Sequence, residues 1–171
     1  MVSIVHNIDI LTNLVDRFVL PEALKQDPNQ LSPSQFKILS YLYTHLNVRP
    51  RDLAYALNIT SPAATYALQK LTSNGFVEME SSTTDKREKT ASLTEKGVEA
   101  VETITTAKER LILGMFEAMN PDDQESLLRG LKEFLSSAGV KFGPKQLCLK
   151  CGFKHSPKCV LSQGRGQTME D

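Results

Sequence analysis

The chain has 171 residues, of which 40% are hydrophobic and 23% are charged, and its formal net charge is zero. A chain of this length can bury an aliphatic core without stabilising disulfide bonds, and a net charge of zero does not by itself indicate a nucleic-acid binder. No apolar run approaches the roughly 20 residues of a membrane span, and the N-terminus lacks the basic start and cleavage site of a signal peptide. We therefore expect a cytoplasmic protein, whose clustered thiols bind metal or do redox work rather than form structural disulfides.

An amphipathic helix is predicted over residues 2–19, because apolar residues recur there at helical spacing. Pro21 breaks this pattern, so residues 21–31 are interpreted as a linker. A helix at a chain end has to bury its apolar face, and a partner chain is the expected cover. Residues 1–30 are accordingly assigned to an N-terminal dimerisation helix and its linker.

A second helix is predicted to begin at Ser32. Ser32 suits the N-cap, Pro33 suits the first turn, and Gln35 can complete a capping box. This helix is expected to end near Asn47. Pro50 then opens a short helix that carries its own apolar positions.

The next helix is predicted over residues 60–74, with Thr60 or Ser61 as its N-cap. Asn74-Gly75 is expected to end it, because glycine readily takes the left-handed conformation that helix ends favour. Its apolar positions recur on one side only, which leaves a polar face for solvent or a ligand.

The apolar pattern then changes from a helical period to a period of two. Residues 76–80 and 90–93 alternate as strands do, and the polar, charged residues 81–89 join them into a β-hairpin. Three helices followed by such a hairpin form a winged helix-turn-helix, a variant of the motif whose second helix enters the major groove. Residues 31–97 are assigned to this DNA-binding domain.

Two more helices are predicted, one from about 95 to 119 with Thr94 as its N-cap and one from Asn120 to near Gly139. Residues 98–140 are assigned as C-terminal dimerisation helices, and residues 141–171 as a basic, cysteine-rich tail. The predicted fold class is mainly α with a small β-hairpin, a winged helix-turn-helix plus a helical dimerisation region.

The helix over residues 60–74 is the predicted recognition helix. Small and polar residues at its N-terminus let the backbone approach DNA closely, hydroxyls and amides can bind phosphate, and Gln and Thr can read base edges. The helix holds a single cation, so specificity has to come from base contacts. The predicted contact residues are Thr60, Ser61, Ala63, Thr65, Tyr66, Gln69 and Lys70.

The hairpin loop supplies further cations. A wing that enters the minor groove needs a long, planar, permanently charged side chain, which makes Arg87 the candidate, with Asp85 orienting it through a short-range ion pair. Taken alone, such a loop could equally be a solvated turn. The predicted cationic contacts are Lys86, Arg87 and Lys89 in the wing, and Arg49 and Arg51, which are expected to meet backbone phosphates.

These features together resemble the MarR family of regulators, through the stretch LAYALNITSPAATYALQKLTSNGFVEMESSTTDKREKTASLTEKG (53–97). In that family a short helix and a recognition helix lead to a glycine, a strand, a wing with an Asp-x-Arg pattern, and then Leu-Thr-x-x-Gly. The flanking helices also fit the family plan, so the resemblance covers about residues 2–138. The matching residues here are Gly75, Asp85, Arg87, Leu93, Thr94 and Gly97.

The resemblance implies a homodimer, built from the first helix and the last two helices, that binds double-stranded DNA at a pseudo-palindromic operator. It also implies a switch driven by a ligand or redox signal, and family ligands lodge between the dimerisation helices and the DNA-binding part. The chain departs from the family at Glu88 and Lys89, where wings are often richer in Arg, and at Tyr66, where a cation is common. We therefore expect modest or unusually salt-sensitive affinity.

The tail contains the pattern C-x2-C-x3-H-x3-C, formed by Cys148, Cys151, His155 and Cys159. Cys-x-x-Cys places two thiolates on one tight turn, and the later His and Cys could complete a tetrahedron in the manner of a zinc knuckle. A metal could also supply the folding energy that so short a tail cannot gain from apolar burial. The family plan does not include this tail.

Three interpretations of the tail stay open: a zinc site, an iron–sulfur cluster, or metal-free thiols that include a reversible disulfide sensor. An iron–sulfur cluster would take its fourth ligand from His155 or from the other subunit, or would lack one. Zinc would most simply be structural, whereas a cluster or free thiols would make the tail the sensor that gates DNA binding.

Other functions make different demands on the sequence. It contains no phosphate-binding glycine loop, nucleophile elbow or zinc-protease helix motif, so we expect no enzyme activity. A winged-helix and zinc adaptor that docks on transcription machinery would bind DNA weakly and protein partners tightly. A small-molecule-responsive repressor would use the cysteine tail only as a structural zinc site.

Overall fold

A computed structural model gives the fold of residues 3–81 and 89–142, apart from the side chains of residues 81 and 142. The described part is mainly helical with one two-stranded antiparallel sheet, which confirms the predicted fold class. None of the helices in this part is long and apolar enough to cross a membrane. In chain order the elements are α1 (Ile4–Leu14), a π-helical segment (Val15–Val19), α2 (Leu20–Leu24), α3 (Pro33–Thr44), α4 (Pro50–Leu57), α5 (Ser61–Ser73), β1 (Val77–Ser81), β2 (Lys89–Leu93), α6 (Glu95–Glu117) and α7 (Pro121–Phe142).

The N-terminal helical run passes through Pro21, so the predicted break at this residue is wrong. In the π-helical segment the amide of Leu20 donates to the carbonyl of Val15, five residues back. Pro21, which has no amide hydrogen, then lies in the first turn of α2, where none is needed. The predicted linker is therefore shorter than residues 21–31, and much of it is packed. Its buried residues are Ala23, Leu24, Asp27 and Leu31.

The predicted N-caps are confirmed at three helices. Before α3, the Gln35 amide donates to Ser32 Oγ at 3.3 Å and the Ser32 amide donates to Gln35 Oε1 at 2.8 Å, which is a complete capping box. The hydroxyls of Thr60 and Thr94 cap α5 and α6 in the same way, each accepting from the amide three residues later.

Helix α3 ends at Thr44, before the predicted end near Asn47. The chain leaves the helix in order to place Val48 beside Ala91 of β2. The two residues exchange amide–carbonyl hydrogen bonds of 3.1 and 2.8 Å, which form an isolated antiparallel bridge beside the two-stranded sheet. This long-range pairing, rather than local helix propensity, sets the end of the helix.

The core lies where α2, α3, α4, α5, the hairpin and the first half of α6 meet. The strands pair in antiparallel register, with Val77 opposite Leu93 and Met79 opposite Ala91. Along α6, burial stops after Ile104. The largest completely buried apolar side chains are Leu39, Leu53, Leu68, Leu71, Ile104 and Val77.

Large apolar side chains stay exposed outside this core. Most of them lie on three elements, namely α1, the second half of α6, and α7. None of the described apolar side chains of these three elements is buried. Exposed apolar area on this scale is uncommon on a monomer. The residues are Ile4, Val5, Ile8, Ile10, Leu11, Ile112, Leu113, Met115, Leu127, Leu128, Leu131, Phe134, Leu135 and Val140.

The substitution Leu53→Ala is expected to lower the free energy of unfolding by about 2–5 kcal/mol, because it empties a completely buried site in α4. Tyr55→Ala, on the same helix but 80% exposed, is the control and should change it by less than about 0.5 kcal/mol. Urea unfolding at one fixed protein concentration measures both variants. Equal losses in the two variants would contradict the core position of α4.

Candidate nucleic-acid interface

Helix α5 is held on the domain by a narrow apolar stripe. Ala64, Leu68 and Leu71 are buried and Ala67 is partly buried against the core, while the polar residues between them are exposed. The preceding turn sets the direction of the helix, since Asn58 ends α4 in the left-handed conformation with φ of 52°. The stripe and the turn together fix which side of α5 meets solvent.

The predicted contact face of α5 lies on that exposed side. Tyr66, at its centre, is 68% exposed, and Lys70 follows one turn later. The structure therefore brings these residues together on one surface, while their contact with DNA stays a prediction. The exposed residues of this face are Thr60, Ser61, Ala63, Thr65, Tyr66, Gln69 and Lys70.

Two hydroxyls on this face already have backbone partners. Thr60 Oγ1 accepts from the Ala63 amide at 3.3 Å, and Thr65 Oγ1 donates to the Ser61 carbonyl at 3.0 Å. Thr65 therefore offers an acceptor rather than a donor to a ligand. Gln69 carries a donor and an acceptor on one planar amide, which is the pairing that reads an adenine edge in the major groove.

The cations beside α4 have an acidic partner. Arg49 Nε lies 2.7 Å from Asp52 Oδ2 and its Nη2 lies 3.2 Å from Oδ1, while Arg51 Nε lies 3.9 Å from Oδ1. The pair holds Arg49 in a fixed orientation but cancels part of its positive field.

Burial, and secondarily the Asp52 charge, raises the pKa of Tyr41 in α3, so this phenol stays neutral near pH 7.

The predicted wing and metal residues lie mostly outside the described residues. Lys89 is described: it is exposed at the start of β2 and pairs with residue 81. Asp85, Lys86 and Arg87 lie outside the described residues, and so do Cys148, Cys151, His155 and Cys159. Within residues 3–81 and 89–142, no three His, Cys, Asp or Glu side chains come together to hold a metal.

Exposed aromatic and aliphatic side chains beside α5 were not predicted as part of the site. Tyr55 projects from α4, and Ile59, in the turn before α5, is 39% exposed. The burial of Leu53, Ala54 and Leu57 leaves Tyr55 on the outer side of α4. The helical period of α4 could therefore have revealed Tyr55 from the sequence.

A second candidate site is a cavity of about 660 Å³ between the π-helical segment, α3 and α6. This volume is in the range of pockets that hold small organic molecules. Ser40 Oγ, which belongs to its lining, is buried with no hydrogen-bond partner among the described residues. Tyr43, also in the lining, donates to Glu102 Oε1 at 2.8 Å, and this bond raises the pKa of Tyr43. Apolar lining comes from Val15, Leu20, Phe36 and Val101.

The helices and the hairpin sheet together define a winged-helix fold. Residues 31–89 match the model of the MarR family. This winged-helix segment is therefore similar to the MarR family.

Two similar proteins of Bacillus subtilis (strain 168) carry the description "uncharacterized HTH-type transcriptional regulator". YkoM is 33% identical over 102 residues, which are 60% of this chain and 66% of YkoM. YwhA is 30% identical over 91 residues, which are 53% of this chain and 66% of YwhA. The chain thus spans slightly less than two thirds of these relatives. Both relatives are named as transcriptional regulators.

Solved structures of two bacterial regulators share the fold. MepR, described as a transcription regulator of the Staphylococcus aureus multidrug efflux pump MepA, has a TM-score of 0.69 at 20% identity, covering 80% of this chain and 98% of MepR. A mutant MarR from Escherichia coli has a TM-score of 0.67 at 25% identity, covering 79% of this chain and 98% of that protein. The likeness extends well beyond residues 31–89, into the flanking helices.

Substitutions of Gln69 and Lys70 are expected to distinguish the contribution of base contacts to DNA binding from that of phosphate contacts. Gln69→Ala is expected to weaken binding to the preferred DNA site by about 1–3 kcal/mol with little change on scrambled DNA. Lys70→Met is expected to weaken both and to lower the slope of log K against log salt by about one unit. Fluorescence anisotropy across a salt series measures these quantities. A uniform loss in Gln69→Ala, or an unchanged slope in Lys70→Met, would contradict the assigned roles.

Proposed function

We propose that the protein is a cytoplasmic, sequence-specific transcriptional regulator that inserts α5 into the major groove of double-stranded DNA. The observation that carries this proposal is the exposed polar face of α5, fixed outward by its buried stripe. Its hydroxyl, amide and ammonium groups suit base edges and phosphates, and the helix N-terminus adds backbone amides. A mutant MepR, similar in fold, has been solved bound to an oligodeoxyribonucleotide.

The regulator acts as a homodimer in this proposal. MarR regulators act as dimers, and the exposed apolar side chains of α1, the second half of α6 and α7 offer the surface that a second copy would cover. A two-fold axis through these helices presents two α5 helices to one side of a DNA duplex. The matching operator is a pseudo-palindrome with half-sites about one helical turn apart.

The test of this proposal is a selection of binding sites from random duplex DNA by the full-length protein, followed by binding to its own promoter with excess competitor DNA. A pseudo-palindromic consensus, bound by dimers in sedimentation analysis, is the expected result. Weak binding without a consensus, together with tight capture of transcription proteins, would favour the winged-helix and zinc adaptor instead.

We propose further that Arg87 enters the minor groove from the wing, oriented by Asp85. Arg87→Ala is then expected to weaken binding across sequences and to lower the salt slope by about one unit, since one phosphate-neutralising cation is lost. Thr84→Ala, a neutral change in the same stretch of sequence, is the control. Titration of the selected site at four salt concentrations gives the slopes, and an unchanged slope in Arg87→Ala would remove this residue from the wing role.

A metal or redox signal at the C-terminal cysteines gates DNA binding in the proposed mechanism. Cys148, Cys151, His155 and Cys159 have the residue types and spacing that hold zinc in four-ligand sites, and the three thiolates equally suit an iron–sulfur cluster. An oxidisable cluster or thiol set would change charge and order at the end of α7, which belongs to the proposed dimer surface.

The metal assignment is tested on protein purified without oxygen, by ultraviolet–visible spectroscopy and metal analysis. Cys151→Ser is expected to lose the metal, while Ser156→Ala in the same tail should keep it. Brown protein with iron and sulfide would identify a cluster, and DNA binding of holo and apo forms would then show whether it gates. Unchanged metal content in Cys151→Ser would exclude the site.

A small-molecule-responsive repressor is the second candidate function, favoured by the cavity between α3 and α6. Its apolar lining and the unsatisfied Ser40 hydroxyl suit an amphipathic organic molecule. MepR, of similar fold, has been solved bound to ethidium bromide. The deciding result is a colourless protein with about one zinc per chain that binds DNA with the same affinity after zinc is removed. That result would favour a ligand in this cavity, rather than the tail, as the regulatory signal.

A further inference from the structure

We infer that Gly97, the third residue of α6, is a positioning residue that sets the distance between the two DNA half-sites. This inference rests on the proposed dimeric regulator, because half-site spacing has meaning only for two linked recognition helices. It arises from a cluster of contacts between the end of α5 and the start of α6, which we call the joint. The joint consists of Asn74, Gly75, Phe76, Thr94, Lys96 and Gly97.

Thr94 ties the two sides of the joint through both its backbone and its side chain. Its amide donates to the Phe76 carbonyl at 3.1 Å, and its hydroxyl donates to the Gly75 carbonyl at 2.7 Å. The same hydroxyl accepts from the Gly97 amide at 3.2 Å. One side chain therefore fixes the α5 terminus and caps α6 at once.

Lys96 adds a second tie across the joint. Its ammonium donates to the Asn74 carbonyl at 3.1 Å and lies 4.3 Å from the centre of the Phe76 ring. The ammonium thus satisfies a carbonyl near the negative end of α5 while it covers an aromatic face. The start of α6 cannot rotate freely without breaking these contacts.

Gly97 makes the close approach possible. A Cβ at this position would overlap the Phe76 carbonyl oxygen and lie 3.1 Å from a methyl group of Leu93. The neighbour at Phe76 is backbone already held by the Thr94 amide, so it cannot yield as a flexible side chain would. Any larger residue at position 97 has to push α6 away from the end of α5.

The consequence for DNA follows from the length of α6. Its first half is anchored in the core as far as Ile104, and its second half belongs to the proposed dimer surface. A shift of about one ångström at residue 97, seven residues from Ile104, tilts the helix by about six degrees and moves its far end by about two ångströms. Two copies together give a displacement of about four ångströms, which is comparable to the 3.4 Å rise of one base pair. The spacing preference should therefore respond to this position.

Gly97→Ala is the experimental test, in the full-length protein, on duplexes that carry two selected half-sites at spacings varied one base pair at a time. The wild type is expected to prefer one spacing over its neighbours by about tenfold. Gly97→Ala is expected to move the optimum by one base pair, or to reduce the preference below about threefold. Its affinity for a single half-site should change by less than about threefold, because α5 itself is unaltered.

Glu99→Ala is the control, since Glu99 is exposed on the same helix, two residues after Gly97, and belongs to neither the joint nor the proposed dimer surface. It should keep the wild-type dimer in sedimentation velocity and the wild-type spacing preference. If Gly97→Ala fails to fold, Thr94→Val and Lys96→Met loosen the joint without adding bulk at residue 97, and they are expected to flatten the preference.

The outcomes separate the inference from the proposed function. If Gly97→Ala keeps the wild-type spacing optimum, the role of the joint is overturned and the proposed regulator is unaffected. Where Gly97→Ala does not fold, the same conclusion follows if Thr94→Val and Lys96→Met both keep that optimum. A wild-type protein that binds no paired half-sites better than single ones would overturn the proposed dimeric operator, and the inference with it.

Discussion

The fixed rotation of α5 is the constraint on which the rest of the site depends. Ala64, Leu68 and Leu71 occupy one narrow side of the helix and are buried almost completely. A small residue at position 64 lets α5 lie close to the domain, and the two leucines prevent it from turning about its axis. The polar face is therefore presented as a rigid surface, which is the condition for reading base edges at hydrogen-bond distance.

The weak positive charge of this surface shapes how it would bind DNA. Lys70 is the cation on α5, and the guanidinium of Arg49 is paired with Asp52 on its own helix. Little of the affinity in the proposed complex would then come from α5 through counterion release, so the proposed wing cations would have to provide much of the phosphate attraction. Such a division lets α5 supply specificity and the wing supply affinity, and it makes binding sensitive to any signal that displaces the wing.

Local sequence signals predicted the elements well, because caps and turns depend on neighbouring residues. Ser32, Thr60 and Thr94 cap their helices as predicted, and Gly75 has the positive φ that ends α5. The burial period of α5 also predicted which of its residues face solvent. These features follow from contacts within a few residues along the chain, which a sequence displays directly.

Features that depend on distant residues were missed. The π-helical segment that carries the chain through Pro21 is supported by packing of α2 against the core, and the early end of α3 follows from the pairing of Val48 with Ala91. The ion pair of Arg49 with Asp52 was also missed, although its spacing in α4 would have allowed the prediction. For Pro21 and for the end of α3, neighbouring residues predicted a helix end at one position, and long-range contacts place it at another.

The cavity and the joint act on the same helix, which suggests how a signal could reach α5. Val101 and Thr105 of α6 line the cavity, and Gly97 lies one turn before Val101 on the side of the joint. A ligand that fills the cavity would press on α6 between its joint with α5 and its dimer surface. Because the contacts of Thr94 and Lys96 make the joint stiff, that pressure would tilt the recognition helix with α6 rather than be absorbed between them. The same stiffness that holds the half-site spacing therefore provides the coupling that a ligand-driven switch requires.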